Sequence, residues 1–403
     1  MAFSGTRYFF ILIIAFVLPS CAATVNYGKA PHAQYVANPQ CSGESSSGGV
    51  ALSDAALFLV TSRLPDCRDD MVRLTSFRAD QVRYGRFDQP RASIDKRKPD
   101  IIVPMNFQAE ARWWADLEAE MLKGDGRVLV YVHGYRETFL SNSRDTFQMK
   151  RLTGFAGPVI QYSWPSQGAL LGYLVDETNL YWDEQNFRRF LTKLATRGWT
   201  KEIVLISHSM GARLVIPAVE FVDRNSANAD SSNISNIILA SPDVDRQDFE
   251  RDIAEEILSV RRVANNRRIT VYVSRKDRAL GLSQQLHGYP RLGSPFCFDP
   301  FEADRLKAQN LPQRCYPSTS RADTASAQSG LTIVDTTDVG GRDAGHSDYL
   351  KTAPGCLDFK AVVGGERGRM AGRLPTRLPH VFVLPKRQKM SQKEEFALCK
   401  REG

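Results

Sequence analysis

The sequence predicts a doubly wound α/β fold, in which a mostly parallel β-sheet is flanked by helices. Six short runs rich in β-branched residues are continuously apolar, which is typical of parallel strands buried on both faces. Patterns of helical spacing stand between several of these runs, and strands that alternate with helices indicate a parallel sheet. The runs are residues 126–134, 157–166, 202–209, 234–243, 267–277 and 331–338.

The N-terminal residues are typical of a secretory signal. Arg7 precedes an apolar run, Tyr8–Leu18, that is too short to span a membrane and is followed by small residues. The segment Leu18-Pro19-Ser20-Cys21 resembles a bacterial lipobox, so we expect a lipid on Cys21, with ordinary cleavage near Ala23 as the alternative. The first outcome predicts a lipid anchor in the cell envelope, on the periplasmic side of the outer membrane, and the second a secreted protein.

Composition and sequence patterns predict how the rest of the chain is divided into segments. With 403 residues, 42% of them hydrophobic, the chain is long enough for one large core. Gly and Ser are dense before residue 51, which favours a flexible linker. Extra strands are expected within 51–105, ahead of an amphipathic helix around Trp113–Leu122. The predicted segments are a signal peptide at 1–23, a linker at 24–50, the α/β domain at 51–355 and an extension of unclear role at 356–403.

The cysteine content and the net charge indicate the compartment and the kind of partner. If Cys21 carries lipid, six cysteines remain, an even number that suits disulfides in an oxidising compartment. We expect Cys297 to pair with Cys315 and Cys356 with Cys399, and other pairings stay open. The chain has no CxxC or HExxH spacing, so we expect no metal. Its net charge of +8 is spread along the chain, which disfavours a nucleic-acid partner but allows attraction to anionic lipid headgroups.

Ser209 is the candidate nucleophile. It lies in Ser207-His208-Ser209-Met210-Gly211, where an apolar run passes into a helical pattern. A reactive serine on a sharp strand-to-helix turn needs small residues two positions before and after it. Gly211 meets this need, and Ser207 stands where glycine is preferred. The alternative is a plain serine in a connection, and His208 is expected to point away from the site.

Asp277 and His346 are the candidate acid and base. Asp277 closes one apolar run, and His346 follows the next on a glycine-rich loop. The order serine, acid, histidine is the one expected when the nucleophile sits on a strand-to-helix turn of an α/β sheet. Asp277 could equally cap the helix after it. Asp243 is the rival acid and His287 the rival base.

Two backbone N–H groups are candidates for stabilising the oxyanion of an attacked carbonyl. Met210 directly follows the candidate nucleophile, and Tyr135 follows His133-Gly134 at the end of an earlier run. Gly134 allows the backbone of Tyr135 to approach closely. For the side chain of His133 we favour a structural role.

The segment QYSWPSQGALLGY is the candidate substrate pocket. An aromatic residue and a turn at the end of a strand, followed by apolar residues, could line an acyl or aryl pocket. An equal alternative is core and turn. The candidate pocket residues are Trp164, Leu170 and Tyr173.

Taken in order, seven motifs resemble a bacterial family of α/β-hydrolase-like proteins of largely undefined function. They are VLVYVHGY, SWPSQGALLGYLVDE, ISHSMGARLV, ASPDVD, SRKDRALGLSQQLHG, PRLG and GHSDYL. The resemblance covers about residues 55–355 and leaves the tail after Cys356 unmatched. It implies an α/β-hydrolase fold with Ser209 as nucleophile, Asp277 as acid and His346 as base.

These observations favour a cell-envelope serine hydrolase that cleaves a small ester or a lipid-like substrate through an acyl-enzyme, without a cofactor. The membrane partner would be reached through the N-terminal lipid. One alternative is an idle hydrolase fold that serves as a binding or structural lipoprotein. Another is an acyltransferase, which shares every residue with the hydrolase and differs only in the acceptor.

Overall fold

The computed structural model describes most of the chain after the linker. The predicted signal peptide, Cys21 and the linker lie outside the described residues. None of the helices formed by the described residues has the length and apolarity needed to cross a bilayer. The described residues are 51–66, 72–92, 101–170, 172–225, 233–319, 329–340, 345–366, 368, 370, 372–386, 391, 394 and 397–399.

Eleven strands of the described residues form one sheet, in the order β12-β13-β11-β10-β9-β8-β6-β7-β1-β2-β5, and β3 pairs with β4 separately. All neighbouring strands from β13 to β1 in this order are parallel. At one edge β12 pairs antiparallel with β13, and at the other edge β2 and β5 are added antiparallel to β1. The strands are β1 Leu57–Asp66, β2 Arg73–Phe87, β3 Arg91–Ala92, β4 Ile101–Ile102, β5 Met105–Gln108, β6 Arg127–Val132, β7 Val159–Ser163, β8 Glu202–His208, β9 Ile234–Ala240, β10 Arg268–Val273, β11 Leu331–Asp335, β12 Leu374–Pro375 and β13 Val381–Val383.

The six predicted runs are the strands β6 to β11, which confirms the α/β architecture. Their continuous apolar character follows from burial on both faces. In β6, Val128, Val130 and Val132 enter one core, whereas Leu129 and Tyr131 enter the core on the opposite face. A strand with one solvent-exposed face would instead alternate between apolar and polar residues.

Helices cover both faces of the sheet. Three of them, α1, α3 and α4, pack in the first core through residues such as Trp113, Phe187 and Leu214. On the other face, α2 and α11 pack through Leu152 and Phe359. The helices are α1 Glu110–Lys123, α2 Phe139–Thr153, α3 Tyr173–Ala195, α4 Ala212–Asn225, α5 Arg246–Asp248, α6 Ala254–Ile257, α7 Val260–Ala264, α8 Arg278–His287, α9 Pro300–Ala308, α10 Asp348–Lys351 and α11 Ala353–Gly364.

The N-terminal strands extend the sheet as expected. β1 pairs in parallel with β7 and antiparallel with β2, so it connects the hairpin to the central strands. All residues of β1 up to Pro65 are buried, which explains the apolar stretch at its start.

The predicted boundary between residues 355 and 356 does not match the fold. Helix α11 crosses it without interruption, and β13 pairs in parallel with β11. Val381 and Phe359 are fully buried, so residues after 355 complete the two cores. The short strands of this region lack a long apolar run, which is why their place in the sheet was not visible in the sequence.

Two disulfides join the predicted pairs, Cys297 with Cys315 and Cys356 with Cys399. The first closes a loop between residues 18 positions apart, and the second spans 43 positions. Both predicted pairings are therefore confirmed. The second bond fixes the C-terminal tail to α11.

We expect the variant Cys297→Ala/Cys315→Ala to unfold at lower urea concentration than the wild type. A crosslink restricts the unfolded chain, and a loop of this length corresponds to about 3 kcal/mol of unfolding free energy. Equilibrium urea unfolding under oxidising conditions measures the difference. In excess reductant the difference should largely vanish. Equal midpoints under oxidising conditions would contradict the prediction.

Candidate active site

Loops at one edge of the sheet carry the predicted catalytic residues. Ser209 directly follows β8, Asp277 follows β10 and His346 lies in the connection after β11. Because β8, β10 and β11 run parallel, their carboxyl ends meet at the same edge. Residues far apart in the sequence are therefore gathered at this edge.

Ser209 occupies a strained turn. Its φ is +52°, in the left-handed region that costs a residue with a side chain about 1–2 kcal/mol. The turn Ser209–Gly211 is a single 3-10 turn that leads into α4. The N–H of Asp243 donates to the Ser209 carbonyl over 3.0 Å and helps to hold this geometry. Such a turn is the one expected for a nucleophile between a strand and a helix.

Two glycines allow the loop after β6 to lie against the Ser209 turn. A Cβ on Gly134 would stand 2.8 Å from the Ser209 Cβ, and a Cβ on Gly211 would stand 2.5 Å from the His133 carbonyl oxygen. Neither distance is compatible with a side chain. Glycine at both positions therefore brings the backbone beside Gly134 close to Ser209.

The imidazole of His346 contacts the carboxylate of Asp277. The distance from His346 Nδ1 to Asp277 Oδ2 is 2.7 Å. The other oxygen of Asp277 accepts from the N–H of Leu280 over 2.9 Å, which caps α8. The two roles considered for Asp277 thus coexist, one on each oxygen. The carboxylate is fully buried, and 19% of the His346 side chain is exposed.

The pKa of His346 reflects two opposing effects. Burial lowers the pKa of His346, but the charge and hydrogen bond of Asp277 outweigh burial and raise it above the ordinary value. With Nδ1 occupied by Asp277, Nε2 is the nitrogen left to exchange a proton with a substrate or a hydroxyl. A raised pKa makes that nitrogen a stronger base.

The backbone of His346 is fixed at the edge of the sheet. Its carbonyl accepts from the hydroxyl of Ser241 over 3.0 Å and lies 3.3 Å from His208 Nε2. Gly345 has a φ of +88°, and a Cβ there would stand 2.7 Å from the carbonyl carbon of Lys276. The loop of His346 therefore presses directly against the segment that carries the acid.

The prediction that His208 points away from the site is wrong. Its ring centroid lies 4.7 Å from that of His346 and 5.8 Å from that of Tyr349. His208 ends β8, and both the ring and the backbone carbonyl of His346 contact its imidazole. Burial and the nearby His346 lower the pKa of His208 well below its ordinary value, so the ring is neutral.

The rival acid, Asp243, belongs to a separate buried network. Its carboxylate accepts from Arg291 over 2.8 Å, from Arg213 over 3.1 Å and from the hydroxyls of Tyr173 and Ser283 over 2.6 Å each. Burial alone would raise the pKa of Asp243, but the two arginines outweigh it and lower the pKa to about 2. The imidazole of His346 instead contacts Asp277.

The rival base, His287, ends α8 away from the acid. Its Nδ1 lies 2.8 Å from the Ser283 carbonyl, and its Nε2 lies 3.1 Å from the Glu177 carboxylate. Both ring nitrogens therefore have partners outside the Ser209 turn. Among the four acid and base candidates, the structure joins Asp277 to His346.

A buried carboxylate that the sequence analysis missed holds the loop of the oxyanion candidate. Asp176 accepts from the N–H of Arg136 over 3.0 Å, from the N–H of Gln167 over 2.6 Å and from the hydroxyl of Ser166 over 2.6 Å. Arg136 has a φ of +63°, and its neighbour Tyr135 has no acceptor for its N–H among the described residues. Asp176 thus fixes the backbone next to an N–H that is available to a ligand.

His133 and Trp164 form a structural pair. Their rings stack at 4.9 Å with an interplanar angle of 6°, and the Trp164 indole donates to the His133 carbonyl over 2.8 Å. The His133 ring nitrogens contact the carbonyls of Gly134 and Trp164. This agrees with the structural role favoured for His133. Trp164 is fully buried, so it belongs to the core and its assignment to a pocket is corrected.

The other two pocket candidates lie on a segment that covers Tyr135. The Tyr135 hydroxyl donates to the carbonyls of Leu170 and Ala169, and its ring lies 5.3 Å from that of Tyr173. Leu170 is 63% exposed, whereas Tyr173 is buried with its hydroxyl on Asp243. Leu170 is therefore the pocket candidate that remains open to solvent. The described residues contain no cluster of three His, Cys, Asp or Glu side chains suited to a metal ion.

A comparison with protein families identifies the chain. The family model "Alpha/beta hydrolase of unknown function (DUF900)" matches residues 109–357. The chain belongs to this family. The matched part of the DUF900 chain contains Ser209, Asp277 and His346, together with Tyr135 and Asp176, and the α/β-hydrolase fold predicted from the sequence is thereby confirmed.

No curated protein matches the DUF900 chain. Carboxyl esterase 2 of the mycorrhizal fungus Tuber melanosporum is 12% identical, over 59% of this chain and 76% of the esterase, with a TM-score of 0.31. An alpha/beta hydrolase fold protein of unknown function is 17% identical, over 67% and 84% of the two chains, with a TM-score of 0.26. A lipase-esterase related protein from Clostridium acetobutylicum is 13% identical, over 69% and 92%, with a TM-score of 0.24.

We expect Asp176→Ala to destabilise this DUF900 protein by about 3 kcal/mol, because three donors lose a buried acceptor. Urea unfolding measures the loss. Glu184→Ala on the same helix is the matched control, since it removes only a partly exposed ion pair with Arg188 and should cost at most about 0.5 kcal/mol. Similar losses in the two variants would contradict the role of Asp176.

Proposed function

We propose that the protein is a cell-envelope serine hydrolase that cleaves carboxylic esters through an acyl-enzyme. The observation that carries the proposal is the 2.7 Å contact between His346 Nδ1 and Asp277 at the sheet edge that also bears Ser209. The left-handed turn at Ser209 supports it, because this turn projects a side chain away from the strand that precedes it. Membership of a family of α/β hydrolases supports the reaction class.

In the proposed reaction, the Ser209 hydroxyl attacks the carbonyl carbon of the ester while His346 Nε2 accepts its proton. Asp277 holds the imidazole through Nδ1 and stabilises the positive charge that it gains. The N–H groups of Tyr135 and Met210 stabilise the oxyanion. As the C–O bond breaks, His346 returns the proton to the leaving alcohol, and the acyl group stays on Ser209.

The second half of the reaction restores the enzyme. Water attacks the acyl carbon while His346 removes one of its protons, and the proton then returns to Ser209 as the carboxylic acid departs. Each half uses one proton that shuttles through His346, so no external oxidant, metal or cofactor is required to balance it.

The proposed location follows from the N-terminal sequence. A lipid on Cys21 would hold the protein at the periplasmic side of the outer membrane, and cleavage near Ala23 would release it instead. The two disulfides support an oxidising compartment. Mass spectrometry of the mature N-terminus distinguishes a diacylglyceryl cysteine from an unmodified residue.

Labelling with a fluorophosphonate tests the proposal without a known substrate. We expect mass spectrometry to find a single adduct, on Ser209, in folded protein. Release of acid from p-nitrophenyl esters of increasing acyl length then defines the ester class. Added glycerol that captures the acyl group in place of water would reveal an acyltransferase. Folded protein without an adduct would favour an idle binding module and overturn the proposal.

A further inference from the structure

Helix α8 begins at the predicted catalytic acid and exposes leucines to solvent. Asp277 caps the helix, and Leu280 and Ser283 face the protein. Leu282 and Leu286 are 51% and 53% exposed and stand one turn apart on the outer side. Two exposed leucines thus lie on the helix that the proposed catalytic acid caps.

Two exposed aromatic side chains follow α8 in the sequence. Tyr289 and Phe298 are about half exposed, and their ring centroids lie 5.9 Å apart. The disulfide of Cys297 with Cys315 anchors the segment that carries Phe298. The exposed rings are therefore presented by a fixed segment.

Two exposed leucines stand on either side of Tyr173, one just before α3 and one in its first turn. Leu170 and Leu174 are 63% and 66% exposed. Between them, Tyr173 contacts α8 through a 3.0 Å bond to Ser283 and a ring contact with His287. The leucines therefore belong to the surface around the proposed active site. We call Leu170, Leu174, Leu282, Leu286, Tyr289 and Phe298 the apolar rim.

The exposed charges at the start of α8 are basic, whereas the exposed acid Asp299 directly follows Phe298. Glu177, one turn after Leu174, is paired with Arg213 and His287. Between residues 275 and 298 the only acidic residue is Asp277, and its carboxylate is buried against His346. The exposed charged residues of this segment are Arg275, Lys276 and Arg278. Basic side chains that flank exposed leucines and aromatic rings are typical of surfaces that bind anionic lipid headgroups and insert apolar groups below them.

We propose that the apolar rim docks on an anionic lipid bilayer and that the ester substrate is a lipid that reaches Ser209 from this surface. The second part rests on the proposed function, whereas docking does not. Several large apolar side chains that are exposed beside one site mark an interaction surface. The apolar rim lies beside the sheet edge that carries the proposed catalytic residues. The basic residues at the start of α8 favour a negatively charged partner.

Vesicle flotation tests docking directly. The protein is the mature form that begins at residue 24, so that neither the apolar run of the signal peptide nor an acyl chain contributes. We expect it to float with phosphatidylcholine vesicles that contain phosphatidylglycerol, and less with pure phosphatidylcholine or at high salt. Leu282→Ser/Leu286→Ser should lower the partition coefficient about tenfold or more, because two leucines no longer leave water. Leu122→Ser/Val260→Ser removes equally exposed side chains elsewhere and should bind as the parent does.

Activity measurements separate the two proposals. In buffer without vesicles, the rim variant should react with fluorophosphonate at the parental rate, whereas its hydrolysis of a vesicle-borne ester should fall about tenfold. Vesicle binding without an adduct would overturn the proposed function, and with it the lipid substrate, and would leave docking intact. Equal flotation of the parent and the rim variant would overturn docking alone. Light scattering measures the oligomeric state of both proteins. If the parent is a dimer and the rim variant is a monomer, the apolar rim contacts a second copy of the chain, and docking is overturned.

Discussion

We expect Ser209→Ala to eliminate the fluorophosphonate adduct and to lower kcat for esters by about 10⁴- to 10⁶-fold. The reason is that the acyl-enzyme cannot form without the hydroxyl, while the oxyanion donors and the binding surface remain. Mass spectrometry of the labelled protein and single-turnover ester hydrolysis measure the two effects. Thermal unfolding should show that Ser209→Ala stays folded, because alanine fits the same small space.

The matched control for this prediction is Ser207→Ala. Ser207 lies two residues earlier in the same motif, and its buried hydroxyl has no hydrogen-bond partner among the described residues. Loss of that hydroxyl should leave labelling unchanged and should not lower stability, since an unsatisfied buried polar group is removed. Labelling that survives in Ser209→Ala and disappears in Ser207→Ala would refute the choice of nucleophile.

Asp277→Asn is expected to have the second largest effect, a fall in kcat of about 10⁴-fold. Asparagine cannot hold the imidazole in the tautomer that leaves Nε2 free to accept a proton. It also removes the charge that raises the pKa of His346. Since His346 is active as a base only when neutral, activity rises with pH through its pKa. The acid limb of the residual pH profile should therefore move to lower pH in the variant.

The capping role of Asp277 supplies the control. Asparagine caps a helix about as well as aspartate, so Asp277→Asn should keep α8 and much of the stability. Asp277→Ala loses the cap as well and should unfold about 1 kcal/mol more easily than Asp277→Asn. An acid limb that stays at the wild-type pH in Asp277→Asn would show that this carboxylate does not govern His346.

The central strands were predictable because their signal is local. A strand buried on both faces has to be apolar throughout, and β6 shows this directly. The pairing of Asp277 with His346 also followed from a simple rule, because parallel strands collect their carboxyl ends at one edge. The sequence left open whether Asp277 or Asp243 is the acid. The structure favours Asp277, because two arginines bind the carboxylate of Asp243.

Other features depend on contacts that no local pattern encodes. Asp176 is one acid among several in α3, and its importance comes from donors in two separate loops. His208 faces His346, which lies 138 positions later in the sequence. Trp164 is buried in the first core, where it stacks on His133. Each of these outcomes is set by tertiary packing across the ends of different strands.

The bond between Cys356 and Cys399 has a practical consequence for handling the protein. The DUF900 match ends at residue 357, yet this bond ties the tail to the last matched helix. The sequence between Lys386 and Lys393 offers several trypsin sites. A nick there would leave the final peptide attached through Cys399. The clipped protein would migrate as intact chain on a non-reducing gel and lose the peptide only after reduction.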